Sequence, residues 1–417
     1  MVRLTQAGKQ ALDAVVAKLA ADPEVGTFIF GVTDADGEIY VKGDGYNVLG
    51  DSNSGEVSLD SVFWICSQTK MITHVAALIA VQHGVISFSD PVSKYLPQFA
   101  TENLIVLVPG SPKDKPEYTP AKTTMTVQHL FNFTSGLSYT MPPARDRQIT
   151  EYTAEHAEVN SIEKFINLIK GDLAGVPLNF EPGTDFVYGW SSDILGFLVE
   201  KASGISFEEF CKRNIFDPLR MNSTSFYQTP NLRSKRVALN YLQIDESGKK
   251  QLGLHDPNIR LFETDPKKVR LHLGGVGLYA SAKDYLAFLR HILQLKAGTA
   301  PNPILNSEYL AKVFEPALPP SGQKSIQRLL AMVEAALGNG VEGMWQWTAS
   351  NAVTMKDKEE RRKKGSIAWS GWANTQHFLD PTTGVAVILQ TQMVPPLNVS
   401  VSKYYDELEK ALYAGLE

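Results

Sequence analysis

Ser67-Gln68-Thr69-Lys70 opens an apolar run, Met71 to His83, that ends at Gly84. Ile72, Val75, Ala76, Leu78 and Ile79 leave this run almost no polar face, so it predicts a helix buried at the centre of the protein. Residues three apart on a helix lie about 60° around and about 4.5 Å along the axis, so the Lys70 amine reaches the Ser67 hydroxyl. A serine is a poor nucleophile until a neighbouring base takes its proton. An amine withdrawn from water inside an apolar wall loses part of its preference for charge and can be that base. The helix N-terminus adds N–H groups that favour developing negative charge. The bare Ser-x-x-Lys spacing has a second reading, a lysine snorkelling from a helix start.

The chain has 417 residues, more than one core usually serves, so two lobes are expected. A net charge of −5 gives no electrostatic footprint for nucleic acid or an anionic membrane surface. No segment approaches 18 uninterrupted apolar residues, so none is expected to span a bilayer. Met1 to Ala21 reads as an amphipathic helix carrying Lys9 and Lys18, without the order of a secretory signal, and a cytoplasmic location is expected. Cys66 and Cys211 are the only cysteines; they allow no scaffold of bridges, and no Cys/His spacing resembles a zinc site. Cys66, beside the candidate nucleophile, reads as a small buried apolar residue. The sequons at Asn132, Asn222 and Asn398 are read as unmodified.

Residues 5–21 read as a helix, 25–33 as a strand, Asp34 to Gly37 as a turn and Glu38 to Lys42 as the returning strand. Asp90 to Thr124 is loop-rich, with six prolines from Pro91 to Pro120. From about 126 to 235 the patterns are mostly helical, including Ser206 to Arg213. Ser281 to Leu295 is a helix with Ser281 as N-cap. Strands return at Thr375 to Leu379 and Gly384 to Thr391, and Ser402 to Leu416 closes as a helix. The reading is α+β: an antiparallel sheet flanked by helices, with an inserted mostly helical domain. The parts are 1–80 and 271–417 for the α/β lobe and 81–270 for the insertion.

Four segments follow Ser67 in order. Thr126 to Leu137 is a short helix running into the Ser135-Gly136 turn. Phe180 to Asp193 is a turn that delivers Tyr188 at a loop tip. Gly274-Gly275-Val276-Gly277 leads to Asp284 and a helix. Trp369-Ser370-Gly371-Trp372 is followed by a strand ending in Asp380-Pro381. In this combination the chain resembles the serine β-lactamase and penicillin-binding-protein superfamily. Within it, the resemblance is to the class C-like (family VIII type) esterases and to the fungal acyltransferases that load polyketide side chains. It covers roughly residues 8 to 415.

The resemblance implies that Ser67 is the acylated nucleophile, Lys70 its base and Tyr188 a proton relay between nucleophile and leaving group. A phenol beside an ammonium exchanges protons with it, which agrees with that role. Trp190 stands where the family's Tyr-x-Asn element has its asparagine. Two registers compete for the Lys-Thr-Gly strand: Lys363-Lys364-Gly365, inside a charge run from Lys356, or Trp369-Ser370-Gly371, whose spacing to Asp380 resembles a Trp-Gly-Gly variant. The second is favoured. It removes the lysine that holds a β-lactam carboxylate and puts an aromatic ring in its place, which suits a neutral, apolar acyl group. The backbone N–H groups of Ser67 and Trp372 would form the oxyanion hole.

Other candidates read as structural. His74, on the same helix as Ser67, either approaches the site or, as favoured, is a core or second-layer histidine; His377 faces either substrate or core; Asp193 either steadies the Tyr188 loop or, as favoured, caps the helix that follows Trp190. Trp190, Trp345, Trp347, Trp369 and Trp372 either line an apolar pocket or pack. Ser321 to Gly343 reads as a lid or surface excursion. No Gly-x-Ser-x-Gly elbow and no His-Glu-x-x-His is present. The expected function is a serine esterase or acyltransferase acting on a small-molecule ester, thioester or lactone, with a hydroxyl acceptor in the transferase case. It needs no cofactor and no metal. The rivals are an amidase, peptidase or β-lactamase, and a catalytically silent binding protein on the same scaffold.

Overall fold

The computed structural model describes residues 2–112, 114–140, 159–244, 248, 250–255, 263–335 and 343–417. Its centre is a seven-stranded sheet in the order Trp345–Trp347, Ala352–Thr354, Ile367–Ser370, Gln376–Asp380, Val385–Thr391, Phe28–Thr33 and Glu38–Asp44. Every neighbouring pair is antiparallel. The chain's two ends therefore build one sheet, with Phe28–Thr33 paired to Val385–Thr391.

Strand alternation sorts the two faces. Phe28, Phe30, Val32, Phe378, Val385 and Val387 point toward the first helix, Gln6–Ala21, and the last, Val399–Ala414, whose Leu12, Val16, Leu408 and Leu412 complete that layer. Thr5 caps the first helix and Asn398 the last, each side chain accepting a backbone N–H. The Asn398 sequon is thus a buried helix cap, and Asn132 is buried too. Ile29, Ala386 and Ile388 point to the other face, into the main core.

The helix forecast from the opening motif also lies in the main core, where it packs against the helix Ser191–Ser203. It runs Thr69–Gln82, every residue from Thr69 to Val81 is buried, and it ends at Gly84, where φ is 70°. The helix Ala282–Ala297 packs on the sheet strands Phe28–Thr33 and Val385–Thr391, with Ser281 as N-cap, as the sequence indicated. Strand and helix limits differ from the expected ones by a few residues, as for Phe28–Thr33 and Val399–Ala414. The helix expected over Ser206 to Arg213 is α-helical only over Phe207–Cys211 and then widens into a π turn, Lys212–Phe216. Between the two sheet-forming ends the chain contributes the helices Ser161–Lys170 and Ser191–Ser203 and short strands such as Leu104–Leu107. The excursion expected over Ser321 to Gly343 begins as the helix Pro320–Ala335, whose Ile326 and Leu330 pack with Trp345 and Trp347; its residues 336–342 lie outside the described residues. Among the described residues no helix is long and apolar enough to cross a membrane.

Candidate active site

Val62–Trp64 ends in Ile65, and Cys66 takes a left-handed backbone with φ 50°. That conformation is unfavourable for a side chain with a Cβ and recurs where a functional residue must be aimed. It turns the chain from extended into the short helical turn Cys66–Gln68 and sets Ser67 at the head of the central helix. Ser67 keeps 9% of its surface exposed and Lys70 only 1%.

Lys70 Nζ has three neighbours: Ser67 Oγ at 3.1 Å, Tyr139 Oη at 3.2 Å and Gly275 O at 2.8 Å. The carbonyl can only accept, so it always takes an N–H. The two hydroxyls can donate or accept. The same geometry therefore serves the ammonium, which donates to all three, and the free amine, whose lone pair faces the Ser67 proton. This settles the opening ambiguity in the lysine's position: it does not snorkel but is enclosed against the serine.

The Gly274–Leu278 loop is clamped to the central helix at three points. Thr73 Oγ1 donates to Gly274 O (2.7 Å), Lys70 to Gly275 O, and Leu278 N–H to Thr69 Oγ1 (3.1 Å). Tyr188 lies with its ring centroid 4.7 Å from Lys70 Nζ, a cation–π distance. Its hydroxyl accepts from Trp369 Nε1 at 3.0 Å. Its ring stacks on Phe133 and meets Tyr139 edge-on at 5.5 Å. Tyr139 was not singled out in the sequence; it stands two residues past the Thr126–Leu137 segment.

The end of the Ile367–Ser370 strand reaches the nucleophile. A Cβ on Gly371 would stand 2.8 Å from Ile65 O, 2.9 Å from Cys66 Cβ and 2.2 Å from Thr375 Oγ1, so only glycine fits there. The Trp372 ring packs on Trp64 at 5.9 Å. Ser370 pairs with Gln376, on the same sheet face as the last helix. Lys363 lies at the far end of this hairpin; its N–H donates to Asp380 Oδ2 (3.0 Å) and its side chain is 42% exposed.

Trp190 is not brought to the reacting groups. It is buried behind them, edge-on to Tyr139 at 4.5 Å and to Phe165 at 5.3 Å. Trp345, Trp347 and Trp369 belong to one aromatic cluster with Phe133 and Phe186. A cavity of ≈ 300 Å³ opens beside Tyr188 and Trp369 and runs over Leu330, Trp345 and Ala368 toward Arg361. His74 is a core histidine: Nδ1–H donates to Ala349 O, Nε2 accepts from Ser192 Oγ at 2.8 Å, and burial pulls its pKa down to about 3. His377 faces the core, where Gln68 Nε2 donates to its Nδ1 at 3.2 Å; burial, and secondarily Arg362, holds it at about 3. The expected cap role of Asp193 is corrected. Its helix, Ser191–Ser203, has no side-chain cap, and Asp193 Oδ1 instead accepts from Gly275 N–H at 2.8 Å.

Residues 12–411 match the Beta-lactamase family. The chain belongs to that family. Within it, the chain is 26% identical over 381 residues to a lovastatin esterase of Penicillium rubens, covering 88% of each chain. It is 28% identical over 395 residues to the acyltransferase calJ of Penicillium decumbens, covering 90% of this chain and 86% of that one. Among solved structures it superposes on simvastatin synthase (LovD) from Aspergillus terreus, unliganded, with TM-score 0.78, 23% identity and 98% coverage of both chains. That likeness fixes the fold as mixed α/β with an antiparallel sheet. The two sequence relatives are an esterase and an acyltransferase, and both activities require the attack of a nucleophile on an acyl carbonyl.

Proposed function

We propose that the protein is a serine esterase or acyltransferase that works through an acyl-Ser67 intermediate, with Lys70 as base. The observation that carries this reading is the 3.1 Å contact between Lys70 Nζ and Ser67 Oγ inside a buried helix start. Ser67 Oγ attacks the carbonyl of an ester, thioester or lactone while its proton passes to Lys70. The carbonyl oxygen becomes an oxyanion, held by the backbone N–H groups of Ser67 and Trp372; the contact of Gly371 with Cys66 brings these two chain segments together. The alkoxide or thiolate leaves with a proton returned through Tyr188, whose oxygen is steadied by Trp369. Water or an alcohol then attacks acyl-Ser67 by the reverse route. A specific observation favours Tyr139 as a second relay: it is the phenol hydrogen-bonded to Lys70. Trp369, Leu330 and Trp345 along the cavity suit an apolar acyl or alcohol body.

The test is incubation with a short p-nitrophenyl ester, followed by intact-mass measurement, beside Ser67→Ala. The expected result is a burst of p-nitrophenolate and an acyl mass increment, both lost in the variant. Added alcohols then separate transfer from hydrolysis. Turnover that survives Ser67→Ala would overturn the assignment.

A further inference from the structure

Lys70 has three hydrogen-bonding neighbours and none carries a negative charge. An ammonium this buried is strongly disfavoured without a counter-charge. Asp193 is linked to Lys70 through the peptide groups of one residue, Gly275. It is fully buried, its Oδ1 accepts from Gly275 N–H, and the carbonyl of the same Gly275 accepts from Lys70. Asp193 Oδ2 has no hydrogen bond of good geometry, with the Tyr139 hydroxyl facing the carboxyl as a weaker contact, and a Cβ on Gly275 would stand 2.5 Å from Oδ2. A carboxylate oxygen buried without a hydrogen bond is itself disfavoured unless a nearby cation compensates it.

We propose that Asp193 is the counter-charge of Lys70 and, through Gly275, the residue that positions the amine against Ser67. Two buried groups, each costly alone, are kept by each other, and the glycine between them sets their spacing. Burial raises the Asp193 carboxyl to about 6, while the Lys70 charge, the Gly275 N–H and Tyr139 pull it back. Among the described residues the other groups facing Lys70 are as follows. From its own helix start, Ser67 is neutral, the Cys66 thiol is pushed up by burial, and His74 is held neutral. From the packed loops come the phenols Tyr139 and Tyr188. Asp193 is the carboxylate set against them.

The consequence for rate rests on the acyl-Ser67 reading; the pairing itself does not. The test is therefore a thermal-denaturation cycle of the full chain at pH 7.5: wild type, Asp193→Asn, Lys70→Met and the double variant. With Lys70 gone, Asp193 is a buried anion without a cation. Asp193→Asn should then shift Tm upward, relative to its effect beside Lys70, by at least about 3 °C. An equal Tm change in both backgrounds overturns the pairing. If Asp193→Asn alone does not fold, Lys70→Met against the double variant still decides: the double variant must be the more stable, and the reverse order refutes the proposal. The positioning role is read from the pH dependence of ester acylation. Removing an anion favours the deprotonated form of its neighbours, so the acid limb should move to lower pH by about one unit. A limb that stays in place overturns that role. If the wild type forms no acyl-enzyme, the catalytic reading fails while the Tm cycle still reports on the pair.

Discussion

Replacing Tyr188 and Tyr139 separately by phenylalanine distinguishes the two phenols around Lys70. Tyr188→Phe deletes the oxygen that accepts from Trp369 Nε1 and leaves the ring on Phe133. If Tyr188 carries the proton to the leaving group, the loss is that of a general acid–base group, about 10²–10⁴-fold in acylation. Tyr139→Phe removes one of the three partners of Lys70 Nζ and leaves the edge contact with Trp190. A hydrogen bond to a charged group contributes about 1.5–3 kcal/mol, so a tyrosine that only steadies the amine costs about 10–150-fold. The assay is stopped-flow release of p-nitrophenolate under single-turnover conditions, with Tm measured to confirm that both variants fold. Tyr188→Phe within tenfold of wild type, with Tyr139→Phe down by more than a thousandfold, would refute the assignment of Tyr188 and make Tyr139 the relay.

Gly371→Ala should cut acylation by about 10²–10³-fold, because a Cβ there meets Ile65 O and Thr375 Oγ1 and drives the strand away from Ser67; unchanged single-turnover rates would exclude this strand from the oxyanion hole. His74 and His377 titrate near 3 when folded and near 6.5 when unfolded, so their contribution is present above about 6.5 and is lost as pH falls. At pH 5 each removes about 2 kcal/mol, while Asp193, raised to about 6, works in the opposite sense and restores about 1 kcal/mol between pH 7 and 5. Urea unfolding should therefore show a protein less stable at pH 5 than at pH 7, and equal stability would contradict the neutral, buried histidines. Arg362 holds Glu409 through two bonds of 2.7 and 2.6 Å, so Arg362→Met should cost about 3–5 kcal/mol in the same assay, with most of it recovered in Arg362→Met/Glu409→Met.

The central helix and the Ser67–Lys70 pair were legible because both depend on one local rule, the helical repeat. The sheet built from the two chain ends was legible in outline, since Ile29 and Ile388 lie in short apolar runs bounded by turns. The second layer was not legible. Tyr139 is 69 residues from Lys70, and only the packing of the Ser135–Gly136 turn against the Tyr188 loop brings them together. An aromatic just after a Ser-Gly turn was the available signal. Asp193 was misread because an acidic residue in a first helical turn ordinarily serves that helix. Here the carboxylate turns inward to a loop 82 residues away, which no local pattern encodes. Trp190, expected at the site, is buried beside Phe165 instead.

Trp369 joins recognition to chemistry at this site. At this strand position the chain has an indole whose only donor is given to Tyr188 and whose ring lies 4.8 Å from Trp347. Farther along the same cavity Arg361 and Arg362 are paired with Asp406 and Glu409 and Lys358 lies over the Trp345 ring, while Lys70 is enclosed by its own partners. An apolar part of a substrate fits along Trp345, Leu330 and Ala368, and Ser370, Gln376 and Lys358 line the same cavity where polar groups would lie. The same enclosure bears on the second half-reaction. In the mechanism proposed above, attack on acyl-Ser67 needs a hydroxyl delivered to a lysine buried beside Tyr139 and Tyr188. Water gains little from such walls, whereas an alcohol with an apolar body gains all the area it covers. On the proposed mechanism the aromatic lining should favour transfer over hydrolysis when an apolar alcohol is added, and a product ratio that does not change with such an alcohol would refute this.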